Sequence, residues 1–110
     1  MKQEICHIDE LNRTFCKEFK VEKKGLEKEA FLISFNNHYY AYINSCPHTG
    51  VNLNWQDEQF LNYEGDYVQC SLHGALFKPS NGECIYGPCL GQYLTKLDIV
   101  IEDSIVYLSQ

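Results

Sequence analysis

The amino-acid sequence predicts an all-β fold, an antiparallel sandwich or barrel. Three observations predict it. Apolar and polar residues alternate over short runs, small polar turn residues separate those runs, and aromatic and β-branched residues outnumber the strong helix formers. Aromatics make up 14% of the 110 residues, including eight tyrosines and six phenylalanines, and there is a single methionine.

Taken in order, Ile5 to Ile8 and Phe15 to Val21 read as short strands, with room for one helical turn over Asp9 to Arg13. Phe31, Ile33 and Phe35 share one face of the next strand. Tyr39, Ala41 and Ile43 share a face of the strand after it. Between them Asn36-Asn37 is suited to the left-handed backbone of a two-residue hairpin. Gln56 to Leu61 is a second candidate helical turn, and Asp66 to Gln69 a further strand. Leu97, Ile99 and Ile101 alternate, Asp103-Ser104 supplies a turn, and Ile105 and Tyr107 continue on the return strand. Many short strands between turns favour a sandwich or barrel over a helical bundle.

The length accommodates one domain over residues 1–110, with framework strands in 1–44 and 92–110 and loops that carry chemistry in about 45–91. A hydrophobic fraction of 45% argues for a folded chain. The net charge of −6 disfavours nucleic acid. Lys17, Lys20, Lys23, Lys24 and Lys28 gather in one stretch, but glutamates interrupt them, and a solvated face explains the pattern. No apolar run reaches the length of a membrane span, and Met1 to Asp9 lacks a secretory signal, so a cytoplasmic location is expected. In such a compartment the six cysteines are expected as thiols or metal ligands rather than disulfides.

The middle of the chain breaks the alternation. It holds every proline, most of the glycines and four cysteines. Two segments there share one plan, a strand running into a Cys/His pair and then glycine: Cys46-Pro47-His48-Thr49-Gly50 and Cys70-Ser71-Leu72-His73-Gly74. Each pair can bring one thiolate and one imidazole to a common point. Soft thiolates with borderline imidazoles suit iron or zinc rather than magnesium or calcium. A third loop, Gly82 to Cys89, follows.

The pattern C-x-H, a spacer, then C-x-x-H resembles the Rieske family, and the resemblance extends from about Ile5 to Leu108. It implies a 2Fe-2S cluster, with Cys46 and Cys70 on one iron and His48 and His73 on the other. It also implies that the Gly87-Pro88 loop covers the cluster from a third side. The histidine ligands would lie at an exposed tip, rimmed by Pro47, Thr49, Leu72 and Pro88. The spacer from residue 49 to 69 is longer than usual, which an inserted turn around Trp55 to Glu64 would explain. Family members of respiratory complexes carry two further cysteines that form a disulfide. The matching positions here are Val51 and Leu72. The same members have a Ser and a Tyr that hydrogen-bond to sulfur, where this chain has Ala75 and Phe77. The resemblance is therefore to the soluble, lower-potential ferredoxin branch.

Alternatives stand beside this. A structural zinc site would use the same four ligands and stabilise an interaction module without redox activity. His7 and His38 are expected on strands or the surface, Cys6 and Cys16 as buried thiols, and Trp55 and Phe60 as packing for the inserted turn. Cys84 and Cys89 bracket Tyr86-Gly87-Pro88, where a disulfide is geometrically possible. Such a cluster has no open ligand position, so the expected role is electron transfer rather than turnover of a substrate by this chain alone. The resemblance implies redox protein partners, a flavin-dependent reductase as donor and a ring-hydroxylating oxygenase as acceptor. A small subunit of an assimilatory nitrite reductase is the second reading. The chain does not include the catalytic mononuclear-iron domain of Rieske oxygenases, so another protein is expected as terminal acceptor.

Overall fold

A computed structural model describes residues 2–23, 25–45, 47, 53, 60–62, 65–70 and 74–109. Ten strands and one short helix lie among them: β1 Lys2–His7, α1 Ile8–Thr14, β2 Cys16–Lys23, β3 Leu26–Phe35, β4 His38–Ile43, β5 Val68–Gln69, β6 Leu76–Phe77, β7 Cys84–Tyr86, β8 Lys96–Leu97, β9 Ile99–Glu102 and β10 Ile105–Ser109. They form three antiparallel sheets in the orders β1-β10-β9, β2-β3-β4-β8 and β5-β6-β7. The expected antiparallel all-β architecture is what the chain adopts.

The central sheet is buried on both faces, which is why Ala30-Phe31-Leu32-Ile33 is continuously apolar. Register places Phe31 opposite Tyr42 and Ile33 opposite Tyr40 on one face, and Ala30 opposite Ile43 and Leu32 opposite Ala41 on the other. The first face packs with Val68, Phe77 and Cys84 of the small β5-β6-β7 sheet. The second packs with Cys6, Val106 and Leu108 of the β1-β10-β9 sheet and with Leu11 of α1. Phe60 also enters the first cluster, fully buried and stacked on Phe31 with ring centroids 4.2 Å apart.

The two expected tight turns are present. Asn36 and Asn37 have φ of 50° and 64°, and Asp103 and Ser104 have 52° and 66°. Positive φ at both central positions matches the right-handed twist of the strands they join. Three local expectations are corrected. Phe15 does not start a strand: it ends α1 at φ 67°, its N–H donating to the Leu11 carbonyl at 2.7 Å, and it is 54% exposed. On the last strand Val106 and Leu108 face the core, while Ile105 and Tyr107 are half-buried and Ile101 is exposed. Lys2 lies over the Tyr107 ring instead. Within the proposed second helical turn, Leu61 pairs with Val68 as an extended bridge; residues 56–59 lie outside the described residues. His7 caps α1, its Nδ1 accepting from the Asp9 N–H at 3.1 Å. Of the lysine stretch, Lys20 and Lys28 are exposed and Lys17 half-buried, with Lys17 paired to Glu10 and Lys20 to Glu27.

Tyr42 anchors the turn after β6, its hydroxyl donating to the buried Pro79 carbonyl at 2.5 Å. Burial first, and the nearby Tyr40 second, hold its ionisation well above the ordinary 10.0. The folded state therefore favours the neutral phenol. This contribution is intact below pH 10 and is lost as pH rises from there towards the folded-state value. Tyr42→Phe should cost about 1–2 kcal/mol at neutral pH by leaving that carbonyl unpaired. Urea titrations should also show a shallower loss of stability above pH 10 in the variant than in the parent.

Candidate metal centre

Of the four expected ligands, Cys70 lies among the described residues, while Cys46, His48 and His73 lie outside them. Among the described residues no three His, Cys, Asp or Glu side chains converge. The described residues around Cys70 form the platform for this site.

β5 ends at Gln69 and Cys70 follows, fully buried. The Cys70 N–H donates to the Ala75 carbonyl, and the Gly74 N–H donates back to the Cys70 carbonyl, both at 2.9 Å. The hairpin is thereby closed at its mouth, and Gly74 completes the turn at φ 68°, a conformation glycine adopts without a Cβ penalty. The segment before β5 supports it. Asn62 Oδ1 accepts from Asp66 and Tyr67, and the Gln69 N–H donates to the Phe60 carbonyl. Residues 60–62 thus run alongside β5, and Phe60 packs as expected; Trp55 lies outside the described residues.

The first Cys/His segment leaves β4 through Asn44 and Ser45. Asn44 is 3% exposed, and its Oδ1 accepts the Leu53 N–H at 2.7 Å. Leu53 is fully buried in the same cluster as Cys70. One side chain therefore ties the departure of the chain at 44 to its return at 53. The residue type is the signal sequence reasoning passed over: a polar amide at the buried end of an apolar strand, immediately before the first Cys/His segment. Asn44→Ala should cost about 1–3 kcal/mol through the unsatisfied N–H. Thermal melts and metal content measured together should both fall relative to the parent.

The third loop lies against the second. Gly87 has φ 107°, and a Cβ there would meet the Ala75 Cα at 2.9 Å. Close backbone approach, not turn geometry alone, requires glycine at this position. Pro88 is exposed and Pro47 half-buried; Thr49, Leu72 and Val51 lie outside the described residues. Ala75 and Phe77 are both fully buried. Cys84 and Cys89 are buried with their sulfurs 2.9 Å apart, Cys89 donating to Cys84 and Cys84 to the Tyr86 carbonyl. That separation exceeds the ~2.05 Å of a disulfide. Cys6 and Cys16 are buried as expected.

The expected donor set, two thiols and two imidazoles, fits iron–sulfur chemistry, and of it Cys70 lies at the mouth of a hairpin whose backbone is tied on both sides. No curated protein matches the chain. In structure it is similar to the ferredoxin of carbazole 1,9a-dioxygenase from Nocardioides aromaticivorans IC177, with 18% identity, a TM-score of 0.73, and coverage of 99% of this chain and 97% of that one. It is also similar to the Sphingomonas yanoikuyae B1 ferredoxin, with 20% identity, a TM-score of 0.72, and coverage of 100% and 99%. A third similar structure is a complex of reduced oxygenase and oxidized ferredoxin in carbazole 1,9a-dioxygenase, with 18% identity, a TM-score of 0.74, and coverage of 98% and 92%. These likenesses show the fold. The model of the Rieske [2Fe-2S] domain matches residues 1–101, and that domain binds a 2Fe-2S cluster. On that match, over nearly the whole chain, the protein belongs to the Rieske [2Fe-2S] family.

Proposed function

We propose that the protein is a one-electron carrier whose 2Fe-2S cluster is held by Cys46, His48, Cys70 and His73, and that it delivers electrons to a ring-hydroxylating oxygenase. A cluster of this type takes up and releases single electrons and offers no open position for a substrate. The observation that carries the reading is the placement of Cys70: buried, at a hairpin mouth closed by two backbone bonds, with the Gly87 loop pressed on the neighbouring Ala75. A rigid frame of this kind limits reorganisation when a charge arrives. Tyr86 and Leu90 are 64% and 67% exposed on either side of the exposed Pro88, which supports a docking face beside the cluster loops. Similarity in fold to ferredoxins of carbazole 1,9a-dioxygenase favours an oxygenase as acceptor; a flavin-dependent reductase as donor is part of the proposal. No helix among the described residues is long and apolar enough to cross a membrane; a cytoplasmic location is part of the proposal.

The test is stopped-flow mixing of the reduced protein with a ring-hydroxylating oxygenase. Reoxidation within the turnover time of the oxygenase supports the reading. Reoxidation by a sirohaem nitrite reductase alone would replace it.

The buried, hydroxyl-free Ala75 and Phe77 allow a test of tuning. Hydrogen bonds to cluster or ligand sulfur stabilise the more negative, reduced form. Ala75→Ser and Phe77→Tyr should each raise the reduction potential, and the pair should raise it further, by protein-film voltammetry. Unchanged potentials with the new hydrogen bonds seen in a crystal structure would refute the tuning argument.

A further inference from the structure

Two cysteines of the third loop lie outside the proposed ligand set. Cys84 and Cys89 are five residues apart, each 1% exposed, and their sulfurs are 2.9 Å apart, inside van der Waals contact. The loop between them is folded back on itself: the Cys84 N–H donates to the Gln92 carbonyl and the Gln92 N–H to the Cys89 carbonyl, both at 2.8 Å. Bond formation requires the sulfurs to close by less than an ångström, from 2.9 Å to about 2.05 Å. Access is the remaining requirement. The two longest loop and turn backbone bonds among the described residues, Leu90 N–H to Gly87 at 3.3 Å and Gly91 N–H to Cys84 at 3.4 Å, are those that close this turn. Weakly held, solvent-facing bonds of that kind open first in local fluctuations.

We propose that Cys84 and Cys89 are a thiol–disulfide couple, oxidised to an intrachain disulfide by exchange with a low-molecular-weight disulfide. One cysteine, having lost its proton, attacks a sulfur of the oxidant; that S–S bond breaks and one small thiol leaves carrying the proton. The second cysteine, giving up its proton, then attacks the first cysteine's sulfur; the mixed S–S bond breaks and the second small thiol leaves carrying that proton. Two electrons pass from the pair to the oxidant, and one S–S bond is exchanged for another. The product covalently closes the loop that holds Gly87 on Ala75. The proposal is independent of which metal the Cys/His pairs bind.

Cleavage after glutamate releases a peptide from Cys84 to Glu102 that contains these two cysteines and no others. The experiment incubates anaerobically purified, metal-loaded full-length protein with oxidised glutathione while following its visible absorbance. The protein is then denatured, alkylated, cleaved and weighed by mass spectrometry. Before oxidation the peptide should carry two alkyl adducts. After it the peptide should carry none, weigh two hydrogens less, and regain both adducts on treatment with dithiothreitol, with absorbance unchanged. Two adducts after oxidation, a glutathione retained on one cysteine, or a disulfide appearing only in step with loss of absorbance would each overturn the proposal.

Discussion

Replacing Cys70 with serine should yield a protein without the visible absorbance of an iron–sulfur cluster and with iron near zero. Cys70 is fully buried with its backbone tied at both ends, so a weaker oxygen donor there cannot move to find better geometry. Cys46→Ser, His48→Ala and His73→Ala should also lose the cluster under the proposed ligand set. His7→Ala and His38→Ala, on the helix cap and at the start of β4, should keep it. The apoproteins should melt lower than the parent, because cluster binding contributes to folding free energy by joining two loops. Iron determination and circular-dichroism melts on the six variants check this. Full iron in Cys70→Ser would remove that residue from the ligand set.

Gly87→Ala is the second large effect. Two penalties act together: a φ of 107° that side-chain-bearing residues rarely adopt, and a Cβ placed 2.9 Å from a backbone carbon of Ala75. Backbone strain costs about 1–3 kcal/mol and overpacking a similar amount. The expected loss is therefore about 3 kcal/mol or more, a fall in Tm of more than about 10 °C for a domain of this size. Gly25→Ala separates the two terms, since Gly25 has φ 79° but nothing within 4 Å of the added carbon. That variant should lose only about 1–2 kcal/mol. Equal losses in the two variants, measured by urea denaturation, would mean that contact with Ala75 contributes nothing.

What could be read from the sequence follows from local chemistry. Asn36-Asn37 and Asp103-Ser104 were legible because short polar side chains tolerate positive φ, and the flanking alternation left one place for each turn. The Cys/His pairs stand out in the sequence because their spacing restricts the donor set; of the four residues the structure describes Cys70. Phe15 was not legible: a bulky aromatic at φ 67° opposes its own propensity, and only the pairing of the Ser34 N–H with its carbonyl and the end of α1 hold it there. The inward face of β10 was also hidden. Ile105-Val106-Tyr107-Leu108 is continuously apolar, so period two gives no phase. The register irregularity between Glu4 and Cys6 lies on β1, the strand paired with β10. Asn44 and Gly87 act through residues distant in sequence, Leu53 and Ala75, which no local pattern reveals.

Membership of the family and the Cys/His ligand chemistry converge on one quantity, the metal and sulfide content of the purified protein. The account predicts two irons and two acid-labile sulfides per chain, as a [2Fe-2S] cluster requires, with a reduced-state paramagnetic signal of a mixed Cys/His cluster. One zinc per chain, no labile sulfide and no signal on reduction would contradict it.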